Sequence, residues 1–387
     1  MAVRSPGNRL LVPHSPDHRV ALGWFGPPEH GVTDMARRIA AAATDLGFAG
    51  PVVGELDAAR VAELVGRLPA PVRLLHLHVS DWLIADATAD PDRVIDGLAG
   101  AAAARGLALS VTLHDLPGPG DPPELGARRA ATYRRLVDAA AGVAVCSEHE
   151  RSLLHERVAP GRAVTVIPLP IDPLAAHPAP PAGGDSDGDG DDDDDDGELT
   201  VAIFGFLYPG KGHRDVIEEL AEFGPPVTVL AIGRPSARHP DLVDELAEAA
   251  RARGLSFRCT GYVPEEQVLD RLRAPVIPVA PQTNISASGS INSWLTAGRR
   301  PLVRAGRYAA ELGRRLPGSV QLYPPGALAD AVRRAQAEPA TTWLPAGLEL
   351  GPTTPTVARR YLDWLTGLAG RAHRPAGRSG TGPGSVA

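Results

Sequence analysis

Lysine is almost absent from this chain. Lys211 is the single ammonium side chain in 387 residues, and the other 38 of the 39 basic side chains are arginines. Against that background a retained lysine points to a need for a compact point charge at one place. Cysteine is equally scarce. Cys146 and Cys259 lie far apart in apolar, strand-like runs. That excludes a disulfide framework or a cysteine-built zinc module and suggests buried thiols in a reducing compartment. No stretch approaches about 18 uncharged apolar residues, so no membrane span is expected. The N-terminal MAVRSPGNRLLVPHSPDHR lacks the apolar core of a signal peptide. These absences together predict a soluble, cytoplasmic protein.

The net charge of −7 misleads, because residues 185–198, DSDGDGDDDDDDGE, carry ten negative charges. Without them the remainder is +3, slightly basic, which favours an anionic ligand and gives no footprint for nucleic acid. Asp185 to Gly190 matches the first half of a calcium loop. Asp192 and Asp196 then stand where that loop needs an apolar residue and Glu, so the run reads as low complexity. Like charges that cannot pack make residues 176–198 an expected disordered linker.

On each side of this seam, strand-like apolar runs alternate with helical patterns. The expected strands are 19–26, 51–56, 72–79, 107–116, 142–147 and 164–170, then 199–206, 226–233, 255–263, 275–281, 300–305 and 319–325. Short apolar runs separated by helices predict parallel sheets covered on both faces. The expectation is an α/β chain of two doubly wound domains, 19–175 and 199–350, with ligands in the cleft at the carboxyl ends of the strands. Residues 354–367 read as a terminal helix that Thr354 or Thr356 could cap. Residues 1–18 and 370–387 read as flexible ends.

Lys211 lies just past a strand, in FGFLYPGKG, where a helix opens. Gly205 to Lys211 fits GxxxxGK, but Gly212 stands where a phosphate-binding P-loop needs a magnesium-ligating Ser or Thr. A metal-free anion site is the other reading: an ammonium beside a helix N-terminus. The plain alternative is an exposed loop lysine. In the next strand–helix units, Asn284-Ile-Ser286-Ala-Ser288-Gly289-Ser290-Ile-Asn292 could form a second anion cradle, or simply an N-cap by Ser288 or Ser290.

The order of these motifs resembles the GT-B glycosyltransferases, particularly the retaining family 4 group, over roughly residues 20–367. Gly26 to Gly31 resembles the family's first glycine-bearing loop, and VTLHDL with His114 its histidine strand. GVAVCSEHE and VTVIPLPID resemble the strands before the interdomain linker. FGFLYPGKG, CTGYVPEEQV, the SGS segment and AGRRPLV follow the family order, and VARRYLDWLTGL resembles its final helix, which crosses back to the N-terminal domain.

The resemblance implies two Rossmann-like domains facing across a cleft. Residues 351–369 would be the crossover. It implies transfer of a sugar from a nucleotide sugar, with retention and without a metal. No cofactor is expected, since the nucleotide sugar is a substrate. The acceptor is open: a small molecule, lipid or glycan. Lys211 would grip the donor diphosphate, and His114 would touch the sugar or leaving phosphate. Gly31, Gly205, Tyr262, Ser288, Gly289, Ser290, Asn292 and Glu311 are the remaining donor-site candidates, and His30, His76 and His78 the acceptor-cleft candidates. His76 and His78 share one strand face, a spacing that also fits a metal or a structural pair.

The chain departs from the family pattern in three places. Phe206 stands where an Arg is usual, and Ile285 and Ser293 replace its paired glutamates. This keeps open a degenerate GT-B protein that binds a nucleotide, a sugar or a protein without transfer, with a P-loop nucleotidase as the third reading. Finally, 127–137, ARRAATYRRLV, carries Arg128, Arg129, Arg134 and Arg135. A solvated helix face is expected there, with weak contact to an anionic membrane as the alternative.

Overall fold

The apolar runs become two all-parallel sheets of six strands each. The computed structural model describes residues 19–87, 90–174, 199–224 and 226–372. The expected acidic linker and residues 1–18 lie outside them, as does most of the expected tail.

The first sheet has β1 (Val20–Phe25), β2 (Val52–Glu55), β3 (Leu74–Ser80), β4 (Ala108–His114), β5 (Gly142–Val145) and β6 (Thr165–Val166), in the order β2-β1-β3-β4-β5-β6. Its helices are α1 (Gly31–Asp45), α2 (Val61–Arg67), α3 (Asp81–Ala87), α4 (Pro91–Ala104), α5 (Pro123–Ala139) and α6 (Glu148–Arg157). The second sheet has β7 (Leu199–Phe204), β8 (Val227–Ile232), β9 (Ser256–Cys259), β10 (Ile277–Ala280), β11 (Leu302–Arg304) and β12 (Gln321–Tyr323), in the order β12-β11-β10-β7-β8-β9. Its helices are α7 (His213–Glu219), α8 (Leu242–Arg251), α9 (Glu265–Arg273), α10 (Gly289–Thr296), α11 (Arg307–Arg315) and α12 (Leu328–Ala337).

Every residue of β3 and β5 is buried, because helices cover both sheet faces. Along β3, Leu75, Leu77 and Val79 join one core layer, while Leu74 joins the layer on the other side. That two-residue alternation carries His76 and His78 inward with Leu74.

The last helix, α13 (Thr354–Ala372), returns to the N-terminal sheet. Its Val357, Ala358, Tyr361, Leu365 and Ala369 pack with Val20, Leu22, Ile39, Ala40 and Leu74. Residues 370–372, expected in the tail, are helical because Ala369 still packs on this layer. The cap of α13 comes from another segment: Asp172 accepts from Thr354 N (2.7 Å) and Thr354 Oγ1 (2.6 Å), and also from Arg38 (2.7 Å). A carboxylate at a helix start is favoured by the helix dipole and satisfies an orphan N–H.

Among the described residues no helix is long and apolar enough to cross a membrane. The basic face expected on α5 does not form as one face. Residues 128 and 129 point about 100° apart on a helix. Arg129 turns inward, Arg134 donates to the Val158 carbonyl (2.9 Å), and Arg135 pairs with Asp92 and Asp96.

Candidate active site

In the C-terminal sheet, chain connections leave β7 and β10 toward opposite edges, so the loops after these neighbouring strands diverge and open a crevice between them. Lys211 stands on the β7 loop, and Ser288–Ser290 stand where the β10 loop enters α10. The fold brings them together: Lys211 Nζ donates to Ser290 Oγ at 2.9 Å. Gly205 sits under the ammonium with φ +113°, and a Cβ there would lie 3.1 Å from Nζ. A side chain at 205 would therefore be strained and would crowd the charge.

Lys211 is only 5% exposed, and among the described residues no carboxylate pairs with it. The nearby Asp215 is taken by Arg304 at 2.8 Å. Burial alone lowers the lysine pKa to about 8. His213, next along, is also buried. Burial and then the Lys211 charge lower its pKa to about 3, so it is neutral.

Ser288 caps α10, accepting from Ile291 N at 3.2 Å, so the simple capping reading holds for it. Its Oγ also meets Ser290 Oγ at 3.1 Å, and Gln282 Nε2 donates to both hydroxyls at 3.2 and 3.4 Å. Gln282 escaped sequence analysis; its only signal is a polar residue just after the apolar strand PVIPVAP. Gly289 and Gly31 open α10 and α1, and a Cβ at either would meet nothing within 4 Å. Space is open beside both glycines.

Asn292 is on α10 but faces the interdomain crossing, donating to the Pro170 carbonyl at 3.1 Å. Glu311 is likewise engaged elsewhere. Its carboxylate accepts from Glu148 N (2.9 Å) and His149 N (2.8 Å), capping α6 from the opposite domain. Tyr262 is 61% exposed, and the Arg234 guanidinium lies over its ring and that of Phe206 at 5.6 and 5.5 Å. Arg234 also reaches Glu29 across the cleft at 3.3 Å.

On the N-terminal side, His30 caps α1 through Nδ1, which accepts from Val32 N at 3.3 Å. His76, His78 and His114 do not line an open cleft, contrary to the expectation for the first two. They form a buried row under α13. His76 meets Ser110 Oγ (3.1 Å) and Thr112 Oγ1 (3.2 Å), and His78 Nδ1 meets His114 Nε2 (3.2 Å). His114 Nδ1 lies 3.6 Å from Cys146 Sγ. Burial lowers all three pKa values, that of His76 to about 3, so the row is neutral at physiological pH. Among the described residues no three His, Cys, Asp or Glu side chains converge as a metal site.

Asp115, one residue past β4, has φ +55°, the only non-glycine positive φ among the described residues. Such strain concentrates at functional positions. Burial raises its pKa, and His30 and Arg129 act against that.

The β10 loop plugs into the N-terminal domain. Ser286 Oγ donates to Glu150 Oε1 at 2.5 Å and accepts from Leu116 N at 3.1 Å. Asn284 Nδ2 donates to Asp121 Oδ1 at 2.8 Å. Glu150 is fully buried, and burial raises its pKa to about 8 despite bonds from Ser286 and Cys146 N. The sequence signal for Glu150 was the S-x-x-E spacing from Ser147, which reads as a local cap and says nothing about Ser286.

No family model and no curated protein sequence matches the chain. Solved structures do match its shape. Anabaena Alr3699/HepE in complex with UDP and glucose superposes with a TM-score of 0.64 at 15% identity, over 90% of this chain and 99% of that one. Sucrose-phosphate synthase from Thermosynechococcus elongatus gives 0.61 at 15% identity, over 91% and 97%. A glycosyltransferase from Rickettsia africae gives 0.61 at 12% identity, over 91% and 99%. Two doubly wound parallel sheets, a crevice between them and a last helix crossing back to the first sheet give this chain the GT-B fold.

Proposed function

We propose that the protein is a glycosyltransferase that takes its sugar from a nucleotide-sugar donor. One observation carries the reading: Lys211 is a buried ammonium with no carboxylate partner among the described residues, held against Ser290 at the topological switch point of the C-terminal sheet. A buried charge left unpaired costs several kcal/mol, and an anionic ligand offsets that cost. Ser288, Ser290, Gln282 and the start of α10 at Gly289 surround the same spot with hydrogen-bonding groups, the setting a diphosphate needs. The UDP complex of the matching Anabaena protein supports a nucleoside diphosphate as the anion.

In this reading residues 199–350 hold the donor and 19–175 the acceptor. The bond between sugar C1 and the diphosphate oxygen breaks, its electron pair staying on the diphosphate. The acceptor oxygen bonds to C1, and the acceptor proton passes to the released phosphate or to solvent. Lys211 stabilises the charge that develops on the leaving group, in place before the reaction and shielded from water. The ammonium does the work a metal would otherwise do, so transfer proceeds without metal or cofactor, with retention, and in the cytoplasm. α5 keeps too little unpaired positive charge to serve as a membrane anchor.

Calorimetry with UDP-, GDP-, ADP- and dTDP-sugars in the presence of a chelator tests this. One of them should bind, and Lys211→Met should abolish that binding. A response confined to magnesium ATP or GTP would favour the P-loop nucleotidase. Donor binding without turnover would favour the degenerate protein.

A further inference from the structure

Lys211 gives the donor crevice one cation, and a diphosphate carries more than one negative charge. The neighbouring loops hold a second cation. In the C-terminal sheet β7 lies between β10 and β8, and β9 follows β8. Ser288–Ser290 therefore flank the Lys211 loop on the β10 side, and the loops after β8 and β9 flank it on the other. Phe206 follows β7, Arg234 follows β8 and Tyr262 follows β9. The Arg234 guanidinium carbon lies 5.5 Å from the Phe206 ring centroid and 5.6 Å from that of Tyr262. Three adjacent loops thus build a ring–cation–ring stack along the carboxyl edge of the sheet.

The backbone of Arg234 is fixed to the lysine loop. Leu207 N donates to the Arg234 carbonyl at 3.0 Å, and Ser236 N donates to the Leu207 carbonyl at 2.9 Å. These bonds carry the pairing of β7 and β8 past the ends of both strands. Gly233 lies so close to Gly205 that a Cβ on it would fall 2.2 Å from the Gly205 carbonyl oxygen, and Gly205 sits under the Lys211 ammonium. Arg234 and Lys211 are therefore carried by one rigid pair of loops.

Among the described residues one carboxylate meets this guanidinium, Glu29 at 3.3 Å. Glu29 stands two residues before Gly31, which opens α1 in the opposite domain, so the pair spans the crevice. It is a loose pair. Charge-assisted N–H···O bonds run about 2.7–2.9 Å. The two side chains are 43% and 41% exposed, and such pairs are worth a factor of about five at most in an equilibrium. The rings, by contrast, hold the guanidinium plane independently of the carboxylate. A guanidinium held and partly desolvated in this way suits the paired oxygens of a phosphate.

We infer that Arg234 is the second cation for the donor diphosphate, and that Glu29 holds it until the donor enters and displaces the carboxylate. This rests on the nucleotide-sugar reading for the identity of the ligand. The test is calorimetry of the full-length protein with UDP, GDP, ADP and dTDP in the presence of a chelator. The nucleoside matching the tightest of them is then measured by ligand-detected NMR, which reads weak binding. Arg234→Gln should weaken the diphosphate at least about tenfold and leave the nucleoside within about a factor of two. Glu29→Gln should tighten the diphosphate about twofold to fivefold, and that gain should vanish in the double variant. The inference is overturned if Arg234→Gln binds the diphosphate like the wild type, or if it weakens the nucleoside equally, which would assign the guanidinium to the base. It is also overturned if Glu29→Gln binds no more tightly, or if its gain persists in the double variant. Loss of diphosphate binding in Lys211→Met with retention in Arg234→Gln would strike this inference and leave the donor reading standing. Failure of every diphosphate to bind the wild type would strike both.

Discussion

Removing the charge of Lys211 should make the ligand-free protein more stable. Burial lowers its pKa from 10.5 to about 8. The unfolded chain therefore holds the proton more tightly than the folded one. Below about pH 8 the folded state bears the full penalty, about 3 kcal/mol at 1.36 kcal/mol per unit. The penalty shrinks as pH climbs from about 8 and disappears above about 10.5. Lys211→Met keeps the length and apolar stem and removes the charge. It also loses the bond to Ser290, worth about 1 kcal/mol. The net gain at pH 7 is about 2 kcal/mol, or roughly 4–8 °C in Tm for domains of this size. At pH 9.5 the wild-type penalty is about half as large, so the gap should narrow to a degree or two. A saturating donor at 100 times its Kd should add about 2.7 kcal/mol to the wild type and nothing to the variant. The assay is a thermal melt of both proteins at pH 7 and 9.5, with and without donor. A variant that melts at or below the wild type at pH 7, or a gap that does not narrow at pH 9.5, would refute the claim of a buried, unpaired ammonium.

Other perturbations follow from the same geometry. Glu150 is the opposite case, a carboxyl whose folded pKa, about 8, lies above its ordinary 4.5. Its stability contribution is present at low pH and lost as pH rises through that window. Glu150→Gln should melt close to the wild type at pH 5 and above it at pH 9, on the order of 4 kcal/mol more stable. Parallel melting curves at the two pH values would contradict this. Glu311→Ala removes the carboxylate that caps α6 from the other domain and should cost about 1–2 kcal/mol, seen in urea unfolding. The same substitution should leave donor affinity within a factor of a few, whereas a ribose ligand would lose far more. Gly233→Ala places a Cβ 2.2 Å from the Gly205 carbonyl oxygen at φ +146°. It should cost upwards of about 2 kcal/mol and weaken donor binding by displacing the loop under Lys211, read by melting and calorimetry.

The placement of polar partners explains where sequence and structure part. Both sheets were legible because a strand covered on two faces must be apolar throughout, and PVTVLAIG or VRLLHLHV can satisfy nothing else. The final helix was legible because its apolar spacing is that of a helix with one buried face. The crevice followed from strand order and needed only the rule that ligands sit where connections diverge. Two histidines misled, since His76 and His78 look like cleft residues by type. Only the packing of Tyr361 and Trp364 over His76 reveals them as a neutral buried row. Glu311 misled for a related reason. A helical Glu near a ligand loop fits a donor site, and nothing local says that α6 of the other domain starts beside it.

The sequence by itself determined the class of the molecule: two parallel-sheet domains, an acidic seam between them, a terminal helix, and one lysine worth attention among 38 arginines. Those features depend on the periodicity of apolar residues and on composition, which are local properties. Tertiary structure alone decided that Lys211 is buried with no carboxylate partner among the described residues and that Ser286 locks the β10 loop to Glu150. It also decided that Arg234 meets Glu29 across the cleft. Each of these sets joins segments at least 79 residues apart in the chain. The energy of a polar group is set by the groups that meet it after folding, and chain separation carries no trace of those meetings.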